Sequence, residues 1–194
     1  MQQPIQDGGG DGNIADQLAT RWMYKMKRLS TATIGACGEH YVAAYLSRKN
    51  LIVALPRAGV PGTDLFVAAE AGGHPIRVQV KTGTQSTRKD KTEGPIYLWS
   101  TAAATAELID DRMWFAFVWL KDWPNELPEV FFVPLATVAA CMKGEKDASW
   151  PFFWIRVKDG DEYRGETGFQ KLKAALIGHS PAIRRAPDGT VSGA

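Results

Sequence analysis

The stretch from Pro61 to Thr82 constrains the fold most, because it reads as a β-hairpin with polar side chains where strands usually carry apolar ones. Asp64 opens one apolar run, and Gln79 and Lys81 interrupt the next. Since strand side chains alternate, Gln79 and Lys81 share one face and the neighbouring valines share the other. An acid, an amide and an ammonium on one face are costly to bury unpartnered and indicate a site. A divalent cation bound to phosphate is one obvious partner.

The length and composition predict a single globular domain. The chain has 194 residues, of which 45% are hydrophobic, which fits one core and argues against general disorder. We expect one domain over residues 14–177, with its core at 34–140, a disordered tail over 1–13 and a flexible tail over 178–194. No apolar run is long enough to span a bilayer and no signal peptide is recognisable, so a cytoplasmic location is expected.

The two cysteines and the charge distribution narrow the classes of function. Two cysteines are too few for a disulfide framework or a cysteine-based zinc site, and Cys37 is expected to be a small buried thiol. The net charge is +2, but residues 31–100 carry eight Lys and Arg against five Asp and Glu, whereas residues 101–150 carry four against eight. The half that holds the polar cluster is therefore basic, which is compatible with a polyanionic partner and also with an ordinary mixed surface.

Periodicity and turn signals predict alternating helices and strands. Helices are expected over 14–28, 34–49 (capped by residues 30–33), 101–109, 135–142 and 168–177. Strands are expected over 51–55, 65–69, 76–81, 96–100, 113–120, 130–133 and 152–157. Residues 83–94 read as a mobile polar loop. This order, with a helical crossover after the third strand, predicts an α/β sandwich with a mixed central β-sheet flanked by helices.

Glu39 adds a carboxylate to the polar cluster from the second helix. It lies at the edge of the apolar stripe that contains Val42 and Leu46, so the carboxylate is aimed partly inward and needs a cation. An ordinary border glutamate paired with an arginine or lysine would satisfy the same pattern.

Taken together, these residues resemble the PD-(D/E)XK nuclease superfamily over roughly residues 34–140. The resemblance is carried by Glu39 after Gly38 in a helix, by Asp64 after a Pro-Gly-Thr turn, and by the Gln-x-Lys element at residues 79–81. Within the superfamily it is closest to Holliday-junction-resolvase-like and homing-endonuclease-like branches. It implies a restriction-endonuclease-like fold: a helix, a three-strand meander, a crossover helix and a further strand.

The resemblance also implies a mechanism, metal-assisted hydrolysis of DNA phosphodiester bonds with Mg²⁺ or Mn²⁺. Asp64 would be the central metal ligand, Gln79 and the Val80 backbone carbonyl would offer further oxygens, and Glu39 would complete the shell directly or through water. Lys81 would orient the attacking water, help to deprotonate it and stabilise charge on the phosphate.

DNA, branched or double-stranded, is the partner that the resemblance implies. Arg88, Lys89 and Lys91 follow the motif directly and are candidates for contacts with the phosphate backbone, although they could equally serve solubility. Nucleases of this type often act as dimers so that two strands are cut, so a homodimer is an expectation to which no interface is assigned. Trp99 and Trp123 are candidates for base stacking, whereas the tryptophans within apolar runs are expected in the core.

Gln79 departs from the commoner form of the motif, which has a carboxylate at that position. A neutral amide in place of the carboxylate removes one negative charge, which should weaken the affinity for metal. The number of metal ions bound, one or two, stays open. Two alternatives to an endonuclease therefore stand. The chain could be a catalytically inactive nuclease-fold module that binds nucleic acid, or a protein-interaction domain that uses its aromatic, acidic half.

Overall fold

The computed structural model describes most of the chain between Leu29 and Gly178. The described residues are 29–57, 61–70, 72, 74–84, 87–91, 94–121, 123–143 and 152–178. The predicted helix over 14–28, the N-terminal tail and nearly all of the C-terminal tail lie outside them. The chain divides into two units at Thr33/Ile34, and every strand described below belongs to the second unit. Within the described part, no helix is both long and apolar enough to cross a membrane.

Eleven helices and strands make up the described fold. In chain order they are α1 Thr31–Arg48, β1 Leu51–Ala54, β2 Leu65–Ala69, β3 Ile76–Gly83, β4 Thr87–Asp90, β5 Gly94–Ser100, β6 Met113–Trp119, β7 Glu129–Pro134, α2 Leu135–Lys143, β8 Phe152–Arg156 and α3 Gly165–Gly178. Short 3-10 helices span Ala103–Glu107 and Val157–Glu162. The predicted cap of α1 is present: the Ser30 hydroxyl accepts a hydrogen bond of 3.1 Å from the Thr33 backbone N–H.

The main sheet has five strands in the order β1-β2-β3-β6-β7. The first three strands form an antiparallel meander, β6 lies parallel to β3, and β7 returns antiparallel to β6. This is a mixed sheet flanked by helices, so the predicted fold class is confirmed. A second, antiparallel sheet in the order β4-β5-β8 was not anticipated from the sequence.

Two predictions for the segment between β3 and β6 are wrong. Residues 83–94 are not simply a loop, because β4 lies within them and pairs with β5. An edge strand is held by backbone hydrogen bonds and needs no apolar pattern, so a polar sequence did not reveal it. The expected crossover helix over 101–109 is only the 3-10 helix Ala103–Glu107, which has no side-chain cap and is flanked by extended residues at both ends.

The main sheet is covered on both faces, as an α/β sandwich requires. One face carries Val78 and Val80 of β3 and packs against α1 and α3 through a first apolar cluster. The other face presents the aromatic side chains of β6 and β7 to the second sheet through a second cluster. In that cluster the rings of Phe117 and Phe153 stack with centroids 4.4 Å apart. The strand β6 is buried on both faces, as its continuous apolar run predicts.

Two predictions about single residues are corrected by burial. Trp99 is only 4% exposed, and its indole N–H donates a hydrogen bond of 3.2 Å to the Val118 carbonyl, so it belongs to the core and cannot stack on a base. Cys37 is only partly buried, since it lies at the border of the first apolar cluster. Trp123 is 43% exposed and remains accessible.

Candidate active site

Asp64 lies where β2 and β3 separate. Its backbone N–H donates to the Val78 carbonyl at 3.0 Å. One oxygen of its carboxylate accepts a hydrogen bond of 2.7 Å from the Val80 N–H, in the place of a backbone carbonyl of the neighbouring strand. Since β2 begins at Leu65 whereas β3 continues to Gly83, the end of β3 pairs with β6 alone. We call this opening, formed by Asp64 and residues 79–83, the fork.

The strand β3 places the predicted amide and ammonium groups at the fork. Gln79 and Lys81 are half-buried, whereas Val78 and Val80, which alternate with them, are buried against the helices. The alternation inferred from the sequence is therefore confirmed. The antiparallel register sets Leu65 opposite Val78, so the next position along each strand brings Asp64 opposite Gln79. The N–H and C=O of one strand residue point to the same edge, so the Val80 carbonyl points to the side where its N–H meets Asp64.

Glu39 lies on α1, on the helical side of the sheet. Gly38, one residue earlier, packs directly on β3: a Cβ added there would lie 1.9 Å from the Thr82 hydroxyl oxygen and 2.9 Å from the Thr82 Cβ. Only glycine therefore allows this approach of the helix to the strand. Burial, and next to it the negative charge of Asp64, raise the pKa of Glu39, while the neighbouring His40 acts in the opposite direction. The negative charge of Asp64, which comes from a different element, therefore acts on the Glu39 carboxyl.

Asp64, Gln79 and Lys81 therefore lie at one end of β3, where the strand register places them. Glu39 lies on α1, one residue after the glycine that packs on Thr82 at the same end of β3. The predicted phosphate-contacting residues are less well defined. Arg88 and Lys89 lie in β4, with side chains outside the described part of the structure, and Lys91 is exposed.

The donor atoms at the fork suit a hard cation. Two carboxylates, an amide oxygen and a backbone carbonyl are the oxygen ligands that Mg²⁺ and Mn²⁺ prefer. Among the described residues no group of three or more His, Cys, Asp or Glu side chains converges as a metal site. A cation here would therefore hold two carboxylates at most from these residues, together with neutral oxygens and water.

A cleft beside Lys81 is a feature that sequence analysis missed. It has a volume of about 250 Å³ and lies between the end of β3 and the end of β5. We call it the β3/β5 cleft. Its lining residues are Lys81, Thr82, Gly83, Thr84, Leu98, Trp99 and Ser100. No local pattern could have found it, because the two strands belong to different sheets.

The raised pKa of Glu39 has a consequence for stability. A carboxyl whose pKa lies above its ordinary 4.5 binds a proton more tightly in the folded state, so the free energy of unfolding falls as pH rises from 4.5 through the folded-state pKa. We expect Glu39→Gln to raise the free energy of unfolding at pH 7 without metal. The gain should disappear below about pH 4, where unfolded Glu39 is also protonated.

Denaturant unfolding of both proteins between pH 3.5 and 8 measures this difference. Glu70→Gln is the matched control, because Glu70 is exposed at the other end of β2. A Glu39→Gln protein that is less stable than the parent at pH 7 would contradict the raised pKa of Glu39.

Comparisons with known proteins find similarity among solved structures. No family model matches the chain, and no curated protein matches it. A solved structure that is similar to it is that of a bacterial homing endonuclease, I-Ssp6803I. The TM-score is 0.49 and the sequence identity 16%, and the match covers 78% of this chain and 97% of that chain. A similarity of this size decides neither the family nor the activity of the chain.

Proposed function

We propose that this protein is a metal-dependent endonuclease that hydrolyses DNA phosphodiester bonds at the fork. The observation that supports the proposal is the Asp64 carboxylate, held by the Val80 N–H at the end of the strand that bears Gln79 and Lys81. Burial and the negative charge of Asp64 raise the pKa of Glu39, which disfavours its charged form unless a cation offsets them. A cation-binding centre next to a lysine suits a substrate that is itself an anion.

The roles of the side chains follow from their chemistry. When bound, Mg²⁺ or Mn²⁺ would supply a water of lowered pKa and polarise the phosphate oxygens. Asp64, oriented by the Val80 N–H, would hold the cation with Gln79 and the Val80 carbonyl, and Glu39 would bind it directly or through water. The Lys81 amino group would position the attacking water and stabilise negative charge on the phosphate.

Metal binding can be measured apart from cleavage. We expect titration calorimetry with Mn²⁺ to show uptake at the fork, and Asp64→Asn to weaken it by at least about tenfold, since one charged ligand is lost. Cleavage of plasmid DNA should require Mg²⁺ or Mn²⁺ and stop on addition of EDTA. The Glu70→Gln protein, which keeps both fork carboxylates, should bind and cleave like the parent. Cleavage that persists in EDTA would refute the proposal.

A non-cleaving DNA-binding module is the second candidate. Gln79 and the absence of a third acidic, histidine or cysteine ligand among the described residues favour it, because a site with little negative charge binds cations weakly. It predicts no uptake of Mn²⁺ and no cleavage, together with DNA binding that weakens steeply as salt rises. The same titration therefore separates the two candidates.

A further inference from the structure

We propose that the β3/β5 cleft binds a single unstacked nucleotide of the substrate, next to the phosphate held at the fork. This inference rests on the proposed function for its substrate, but its site is separate from the carboxylates. Lys81, Thr82 and Gly83 line the cleft and also belong to the fork, so a nucleotide in the cleft would be continuous with a phosphate at the fork.

The size of the cleft limits what it can hold. The cleft has a volume of about 250 Å³. It is somewhat smaller than the clefts of about 300–1,000 Å³ that enclose drug-sized ligands. One nucleotide is of a suitable size, whereas a base pair or an intact duplex segment is too large.

The lining matches the chemistry of a nucleotide. Among the described lining residues, Lys81 is the only cation, and it can pair with a phosphate. Leu98 gives a half-buried apolar surface against which the flat face of a base can pack. Thr84 and Ser100 are exposed at the cleft, and their hydroxyls can both donate to and accept from a base edge.

A base can enter this cleft only when it leaves the helical stack. Unstacking is least costly where a nucleotide is unpaired, mismatched or at a branch. The inference therefore narrows the substrate class to DNA with an unpaired nucleotide beside the bond that is cut. Regular duplex DNA should be cut more slowly than the same sequence with a single unpaired base at that place.

The test uses mononucleotides without metal, so that it does not depend on catalysis. Deoxyadenosine 5′-monophosphate is titrated in EDTA and followed by NMR, with deoxyribose 5-phosphate and inorganic phosphate as probes that lack the base. We expect the mononucleotide to bind at least about tenfold more tightly than either, because stacking of a base adds to the ion pair. Equal affinity for all three would overturn the proposal, since it would mean binding of phosphate alone.

Two variants locate the binding. Leu98→Trp and Ser100→Tyr each fill the cleft and should weaken mononucleotide binding at least about tenfold. Leu127→Trp is the control, because Leu127 is 79% exposed and is not part of the lining. If Leu98→Trp does not fold, the Ser100→Tyr protein tests the assignment, since Ser100 is exposed and a larger side chain is tolerated there. Undiminished binding in a folded cleft variant contradicts the assignment.

The failure of this inference can be told apart from failure of the proposed function. If Asp64→Asn leaves DNA cleavage unchanged, the fork is not the catalytic centre, whatever the cleft binds. If cleavage depends on Asp64 but Leu98→Trp cuts DNA with and without an unpaired base at the parental rates, the nuclease proposal stands. The cleft would then have no part in substrate choice.

Discussion

Lys81→Met should reduce DNA cleavage about 10³-fold while leaving Mn²⁺ binding intact. Methionine keeps most of the length and apolar surface of the lysine stem, so the packing at the end of β3 is largely preserved. The variant lacks only the amino group that we propose to position water and stabilise charge on the phosphate. Groups with such roles contribute about 10²–10⁴-fold to rates.

Comparison of Lys81→Met with Asp64→Asn separates metal binding at the fork from the action of the lysine in cleavage. Asp64→Asn should lose both metal binding and cleavage, because it removes a charged ligand. Lys81→Met should lose only cleavage, and removal of a nearby positive charge should leave Mn²⁺ affinity equal or slightly higher.

A variant of an exposed lysine away from the fork controls for the general effect of losing one positive charge. Lys173 is exposed on α3, and Lys173→Met should cleave DNA at the parental rate. Single-turnover cleavage rates and Mn²⁺ titrations on all three variants measure the pattern. A Lys81→Met protein within about tenfold of the parent rate would exclude this lysine from the chemistry.

Gly38→Ala should destabilise the fold by about 1–2 kcal/mol and reduce cleavage about 10²-fold. The new Cβ would overlap the Thr82 side chain, with 1.9 Å to its hydroxyl oxygen. Overpacking of this kind costs about 1–3 kcal/mol, against a gain of up to about 1 kcal/mol in helix propensity. Relief of the overlap must move α1 away from β3, which withdraws Glu39 from Asp64. A misplacement of about 1 Å in a catalytic group can cost 10²-fold in rate.

Gly35→Ala provides the control in the same helix. No atom lies within 4 Å of a Cβ added at Gly35, so only the propensity gain remains and stability should rise by up to about 1 kcal/mol. Adding Thr82→Ala to Gly38→Ala should recover part of the loss, because the hydroxyl oxygen nearest to the new Cβ is removed. Denaturant unfolding and cleavage rates measure both effects. If Gly38→Ala and Gly35→Ala change stability by the same amount, the close contact between α1 and β3 is not present in solution.

Local patterns predicted the elements that build the fork. The apolar alternation of β3 separated Gln79 and Lys81 from their valine neighbours, and burial confirms the assignment. The strand β2 was predicted at its observed bounds, and the capping serine of α1 was recognised. These features depend on residues close together in the chain, so they can be predicted from the sequence without the tertiary structure.

The missed elements depend on long-range pairing. The strand β4 has no apolar signature in the sequence, because it is held by its backbone pairing with β5. Strands were predicted at the positions of β5 and β8, but their pairing into a second sheet was not. The expected crossover helix failed for a related reason. Its alanine-rich segment has helix propensity but no cap, and the chain around it is extended.

The sequence alone determined which side chains share a strand face and which elements carry an acid, since strand alternation and helix periodicity are local. Only the tertiary structure decided how closely the helix that bears Glu39 approaches the strand that bears Gln79 and Lys81. The contact of Gly38 with Thr82 brings a helix from one face of the sheet to the fork, and the separation of β2 from β3 opens the path to Asp64. Likewise, the pairing of β5 in a second sheet created a cleft beside Lys81. Such close approaches depend on packing between residues far apart in the chain, which no local pattern encodes.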